Sequence, residues 1–133
     1  MAGDEPDDTL PTLLRGTMAG LVRREQADLS ARQMAIFMIC YLDQPSQTVR
    51  GLATDLNVSR PAITRALDRL AQFDLIRRRP DPADRRSILV QRTAAGNAFL
   101  RELRSILNGA ANGPKKAQPK PAARRSRVSK AAA

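Results

Sequence analysis

The chain has 133 residues, enough for one domain with a modest core but not for two. Its formal net charge is +10, it contains no histidine, and its single cysteine excludes a disulfide within the chain. No apolar run approaches the roughly 18 residues that a membrane-spanning helix needs, and the acidic N-terminus does not resemble a signal peptide. We therefore expect a cytoplasmic protein that makes no contact with a membrane.

The charges are unevenly distributed along the chain. Residues 1–10 contain four acids and no base, whereas residues 114–133 contain seven bases, including all four lysines, and no acid. Residues 11–113 contain sixteen arginines, no lysine and nine acids. Arginine suits planar, bidentate recognition of phosphate and guanine, although genome base content can produce the same bias.

The first predicted helix is capped by Thr9 or Thr12 and runs to about Glu25, because apolar residues recur there at helical spacing: Leu10, Leu14, Met18, Leu21 and Val22. Ser30 opens a second helix, ARQMAIFMICYLD, which is apolar nearly all round and should lie in the core.

The next two predicted helices form a helix-turn-helix. Thr48 caps the third helix, VRGLATDL, and Asn57-Val58 forms the turn. Ser59 caps the fourth, which has Pro61 in its first turn. Its inward row consists of Ile63, Ala66, Leu67 and Leu70.

A hairpin and a last helix follow. Leu75–Arg79 and Ser87–Arg92 are predicted strands, and Pro80–Arg85 is the tip between them. Thr93 caps a helix that ends near Asn108-Gly109, with an inward row of Phe99, Leu103, Ile106 and Leu107.

These elements predict a mainly α fold with a small β-hairpin wing, a winged helix-turn-helix. We expect it to occupy residues 9–109, between a disordered acidic N-terminus, 1–8, and a disordered basic tail, 110–133.

The pattern predicts double-stranded DNA as the partner, with helix 59–72 in the major groove and the wing, 80–86, in the minor groove. The N-terminal end of a recognition helix reaches base edges, while the start of the preceding helix suits phosphates. The candidates on the two helices are Thr48, Arg50, Ser59, Arg60, Pro61, Thr64, Arg65 and Arg69. The alternative for each is an ordinary solvated face.

At the wing, Arg85 or Arg86 is the candidate for the minor groove, where a narrow groove concentrates negative potential. A neighbouring aspartate can pin an arginine side chain or the turn itself. An ordinary charged hairpin turn remains the alternative.

The segments LATDLNVSRPAITRALDRL and LIRRRPDPADRRSILVQRTAAG closely resemble the MarR family of bacterial winged-helix regulators, over about residues 30–107. The resemblance implies a homodimeric transcription factor, usually a repressor, that binds a pseudo-palindromic site. It also implies that Arg86 enters the minor groove and that Asp84 steadies the wing through Arg78.

The chain departs from the family pattern in two places. Asp74 stands where glycine is usual before the hairpin, and aspartate tolerates the left-handed conformation less well than glycine. We expect the structured part to stop near residue 108, one C-terminal helix short of the family pattern. This predicts a dimer interface that is smaller or differently built, or weak association, and leaves open whether a small-molecule effector is sensed.

Other functions fit the sequence less well. The chain has no histidine, no metal-ligand spacing and no glycine-rich phosphate loop, so we expect no enzyme activity, metal or cofactor. Cys40 lies among apolar residues and is predicted to be buried, with a redox sensor as the alternative. The alternative functions are a non-specific architectural (nucleoid-associated) DNA-binding protein and a winged-helix interaction module resembling a co-regulator or antitoxin.

Overall fold

The computed structural model describes residues 5–112. In chain order, the elements are α1 (Thr9–Arg23), α2 (Ala31–Leu42), β1 (Gln47–Thr48), α3 (Val49–Leu56), α4 (Arg60–Gln72), β2 (Ile76–Asp81), β3 (Asp84–Arg92) and α5 (Ala94–Ala111). The predicted mainly α fold with a β-hairpin wing is confirmed. The described residues divide into two compact units, a winged-helix unit of residues 26–102 and a terminal unit of residues 5–25 and 103–112. From residue 113 on, the predicted basic tail lies outside the described residues.

The sheet of the winged-helix unit has three antiparallel strands in the order β1-β3-β2. Ile76 pairs with Arg92 at the base of the wing, and Gln47 pairs with Val90 on the other side of β3. The strand β1 was not predicted, because two residues are too few to show an alternating pattern.

The core of this unit is built on α2, α4 and the base of the sheet. Its largest fully buried side chains are Phe37, Ile36, Leu52, Ile63, Leu67, Leu70 and Ile76. The ring of Phe37 stacks on Tyr41, with centroids 4.4 Å apart, and meets Phe99 edge-on at 4.9 Å. The predicted central position of α2 and the inward row of α4 are both confirmed.

The hydroxyl of Tyr41 links three elements of the core. It donates to the carbonyl of Leu75 (2.6 Å) and accepts from the amide of Thr93 (2.9 Å). The Thr93 hydroxyl donates to the Asp74 carbonyl and accepts from the Gly96 amide, which confirms the predicted cap of α5. A Cβ at Gly96 would overlap the Tyr41 hydroxyl and stand 2.5 Å from the Leu75 oxygen, so only glycine fits there.

The end of α4 is a Schellman motif. Asp74 adopts the left-handed conformation, with φ of 58°. Its amide bonds the carbonyl of Ala71 (2.9 Å), and the amide of Leu75 bonds that of Leu70 (3.0 Å). Aspartate thus adopts the conformation for which glycine is the usual residue, as the sequence predicts.

The start of α1 differs from the prediction that Thr9 or Thr12 caps it. The N-cap is Asp8, which makes no capping hydrogen bond through its side chain. Thr9 is already the first helical residue, and its amide donates to Asp7 Oδ1 (3.0 Å). Hydrogen bonding from the Thr9 side chain, and secondly from this amide, lowers the pKa of the Asp7 carboxyl. The helix ends at Arg23, before the predicted end, and Glu25 has a left-handed φ of 59° that does not continue a helix.

In the terminal unit, α1 packs closely on the last turns of α5 through two glycines. A Cβ at Gly16 would stand 3.0 Å from Cβ of Ala110, and one at Gly20 would stand 2.7 Å from Cγ2 of Ile106. α5 continues to Ala111 instead of ending near Asn108-Gly109, because a single glycine weakens a helix without terminating it. Of its predicted inward row, Phe99 and Leu103 are buried, whereas Ile106 and Leu107 are half-buried.

Candidate nucleic-acid interface

The two helices of the helix-turn-helix are fixed by hydroxyl caps. The hydroxyl of Thr48 accepts from the amide of Gly51 (2.9 Å), and that of Ser59 accepts from the amide of Ala62 (3.2 Å). Between them, Asn57 adopts the left-handed conformation, with φ of 55°, and closes α3. The predicted caps and turn are confirmed, and each hydroxyl keeps its own hydrogen for a further acceptor.

The outward side of α4 carries a row of exposed side chains, here called the reading face: Arg60, Pro61, Thr64, Arg65, Asp68 and Arg69. Within the described residues, the guanidinium groups of Arg60 and Arg65 make no hydrogen bond or ion pair, so they are available to an external acceptor. Arg50 is likewise exposed in the first turn of α3.

Arg69 is held differently from the other arginines of the reading face. Its Nη1 donates to Oε1 of Gln72 (3.2 Å), and its guanidinium lies 4.7 Å from the centroid of the Phe73 ring. These contacts hold the side chain against the C-terminal turn of its own helix. Arg69 is therefore less available to DNA than Arg60 or Arg65.

The wing is longer and tighter than predicted. Its strands extend to Asp81 and from Asp84, which leaves only Pro82 and Ala83 between them instead of a six-residue tip. Pro80 lies inside β2, where proline is tolerated because β2 is an edge strand. The pairing shifts register between Pro80 and Asp81.

Two aspartates stabilise the wing through its backbone. Oδ1 of Asp81 accepts from the amide of Ala83 (2.9 Å), and Oδ1 of Asp84 accepts from the amide of Arg86 (3.1 Å). Arg85 and Arg86 follow directly and are exposed. The tip therefore presents two guanidinium groups on a turn held by carboxylates.

The expected partner of Arg78 is corrected. Its Nη2 lies 2.7 Å from Oδ1 of Asp68 on α4, so it does not pair with Asp84. Asp84 instead steadies the backbone of the wing itself. Arg78 therefore joins the base of the wing to the reading face.

Cys40 is buried, as predicted, with 2% of its surface exposed. Burial raises the pKa of its thiol to about 12, which disfavours the thiolate that a redox sensor requires. Nearby, Nε of Arg92 donates to the carbonyl of Cys40 (2.8 Å), and Nη2 donates to that of Asp43 (3.2 Å). Sequence reasoning missed this cap at the end of α2, since the two partners lie about fifty residues from Arg92 along the chain.

Between residues 5 and 112, no group of three potential metal ligands lies together. No helix in that range combines the length and apolarity needed to cross a bilayer.

The capped helix pair, the exposed arginines of α4 and the arginine-tipped hairpin define a winged helix-turn-helix protein of the DNA-binding class. The sequence matches the MarR family model over residues 29–88. The matched residues run from just before α2 into β3, so they contain the whole helix-turn-helix.

Solved structures share this fold. The transcriptional regulator Tm0710 from Thermotoga maritima superposes with a TM-score of 0.64 at 18% identity, covering 88% of this chain and 84% of that one. RV1404 from Mycobacterium tuberculosis superposes with a TM-score of 0.64 at 22% identity, covering 90% of this chain and 85% of that one. The YusO protein from Bacillus subtilis superposes with a TM-score of 0.63 at 18% identity, covering 91% of this chain and 86% of that one. A search of curated proteins found no match.

Proposed function

We propose that this protein is a sequence-specific repressor that binds double-stranded DNA as a homodimer. The observation that carries the proposal is the reading face, where the guanidinium groups of Arg60 and Arg65 lack a partner among the described residues and flank the exposed hydroxyl of Thr64. In the proposed complex, α4 lies in the major groove, and Arg60 and Thr64 contact base edges. Thr48, Arg50 and Ser59 bind the phosphates beside them.

The wing supplies the second contact. Arg85 and Arg86 follow a turn that Asp81 and Asp84 hold through backbone amides, so little backbone freedom of the turn is lost when an arginine enters the minor groove. Arg86 is the proposed minor-groove residue.

The homodimer is supported by an exposed apolar row on α1. Leu10, Leu14, Met18 and Val22 recur every fourth residue and are 73%, 61%, 49% and 72% exposed. Exposing such an apolar row to water is energetically unfavourable, and the terminal unit of a second protomer would cover it. Leu14→Glu should shift the mass in solution toward the monomer, whereas Thr12→Glu, an exposed change on the same helix, should leave it unchanged.

The direct test of sequence-specific binding starts from a site selected from random or genomic DNA. The protein should prefer this site over bulk DNA by about 10³-fold or more at fixed salt. Arg60→Ala should relax the preference at one base pair, with about 1–3 kcal/mol lost, while Arg101→Ala on the exposed side of α5 should not. Equal affinity for all sequences would instead support a non-specific architectural protein, and weak binding to every DNA would support an interaction module.

A promoter reporter tests the sign of regulation. Placing the selected site over a promoter should lower transcription when the protein is present, and Arg60→Ala should restore it. Activation by the intact protein would contradict the repressor assignment while leaving the DNA-binding proposal in place.

A further inference from the structure

An open cleft of about 490 Å³ lies between the first turn of α2 and the flank of α4. It is lined by Ser30, Ala31, Arg32, Gln33, Ala62, Arg65 and Ala66. Sequence reasoning selected none of the four lining residues from α2 and its cap as a functional residue. Arg65 belongs both to this cleft and to the reading face, so the two surfaces are continuous.

The charge of the cleft is positive. Arg32 and Arg65 come from two different helices, are both exposed, and make no hydrogen bond or ion pair within the described residues. No carboxylate is among the lining residues. Two unpaired guanidinium groups on one cleft favour an anion with several acceptor oxygens, such as a phosphate.

The charge comes from the arginines more than from the end of α2. The amide of Gln33 already bonds the Ser30 hydroxyl (3.1 Å), and the amide of Ser30 bonds Oε1 of Gln33 (2.9 Å). This capping box occupies two of the amides that would otherwise face an anion.

The remaining lining favours a sugar-phosphate strand over a small aromatic ligand. Ala31, Ala62 and Ala66 have short side chains and the cleft is open to solvent, so a DNA backbone can approach it. No aromatic or large apolar side chain lines it, as a pocket for an aromatic effector would require.

We propose that this cleft binds one backbone phosphate of the DNA, held between Arg32 and Arg65. The inference rests on the proposed function and deepens it, because it assigns Arg65 to a phosphate and leaves base reading to Arg60 and Thr64. It also extends the DNA-binding surface from the helix-turn-helix to α2.

The test is the salt dependence of binding to the selected site. Each phosphate contact adds about 0.9 to the slope of log affinity against log salt, so removing one narrows the affinity gap between 50 and 200 mM salt by about 3.5-fold. Arg32→Ala and Arg65→Ala should each show this change and weaken binding to all sequences alike. Arg32→Lys should keep the slope, and Arg101→Ala should match the unmodified protein.

Selected duplexes that each carry one neutral methylphosphonate locate the contact. One position should weaken binding by the unmodified protein, have a smaller effect on Arg32→Ala, which keeps Arg65, and have no effect on the variant that combines Arg32→Ala with Arg65→Ala. Thermal unfolding of each variant without DNA checks that the fold is intact.

The inference fails if Arg32→Ala leaves the slope unchanged, or if Arg65→Ala alters preference at a single base pair. It also fails if inorganic phosphate raises the melting temperature through Arg32 while the DNA slope does not change, because the cleft would then bind a free anion. In all three cases the unmodified protein would still select its site. Loss of selectivity by the unmodified protein would overturn the proposed function instead.

Discussion

The guanidinium of Arg78 lies 2.7 Å from the carboxylate of Asp68, which joins the first strand of the wing to the outward face of α4. The side chains are 30% and 53% exposed, so the pair should stabilise the fold by no more than about 1 kcal/mol. Its larger effect should be on DNA binding, because it sets the wing against the helix and neutralises a carboxylate on the reading face.

We therefore expect Arg78→Ala to weaken DNA binding more than it lowers the free energy of unfolding. It leaves Asp68 as an uncompensated negative charge near the phosphates. Adding Asp68→Ala to this variant should recover part of the affinity. A double-mutant cycle measured by DNA titration checks this, and strictly additive effects would contradict the coupling.

Gly96→Ala should lower the free energy of unfolding by roughly 1–3 kcal/mol or more, because the added methyl overlaps the Tyr41 hydroxyl. Gly109→Ala is a matched control in the same helix. A Cβ there meets nothing within 4 Å, and alanine should stabilise the helix by about 0.5–1 kcal/mol. Denaturant unfolding measures both, and equal effects of the two changes would refute the close contact.

Tyr41→Phe should destabilise the winged-helix unit by about 1–3 kcal/mol, because it removes the partner of the Thr93 amide and the donor to Leu75. The aromatic stack with Phe37 stays in place, so the variant should still fold. The measurement is urea unfolding, with an unchanged circular dichroism spectrum as the control. A loss of less than a few tenths of a kcal/mol would show that the hydroxyl is not a structural link.

Cys40 should make the protein less stable at alkaline pH. Its thiol has a pKa of about 12 in the folded state, against an ordinary value of 9.0. The unfolded chain therefore releases this proton first, so the contribution of the neutral thiol is full below pH 9 and is lost as the pH rises toward 12. The fall in unfolding free energy across this window should be smaller in Cys40→Ala, and an identical fall in both proteins would contradict the burial effect.

The thiol should also resist alkylation by iodoacetamide at about pH 8 until the protein unfolds. Rapid labelling of the folded protein would reopen the redox-sensor alternative.

Deleting residues 114–133 should weaken binding to all DNA sequences alike and flatten the salt slope, since the segment contains seven bases and no acid. Preference for the selected site should survive. Loss of site preference in this deletion, with preference retained in Arg60→Ala, would contradict the proposal that Arg60 contributes sequence preference and would place that preference in residues 114–133.

Much of the fold could be predicted from the sequence because the signals were local. Ser30, Thr48, Ser59 and Thr93 all cap the helices that they precede, since a cap depends on an amide three residues away. The predicted N-cap of α1 was wrong, because Asp7, Asp8, Thr9 and Thr12 are all residue types that cap helices and lie close together in the sequence.

The candidate site was harder to predict wherever the partners are distant in sequence. Asp68 and Arg78 meet only after the wing folds back onto α4, and Arg32 lines a cleft with Arg65 only after α2 packs beside it. No spacing rule connects such pairs. The exposed row of α4 could be predicted because helical periodicity alone separates it from the buried one.

The wing also has an exposed outer strand. β2 is the edge of the sheet, and its residues include three successive arginines followed by Pro80, which has no amide hydrogen to donate. An extended strand from another molecule would therefore meet repulsive charge and a break in its hydrogen-bond ladder. The arginines and Pro80 of β2 thus protect the wing from edge-to-edge aggregation.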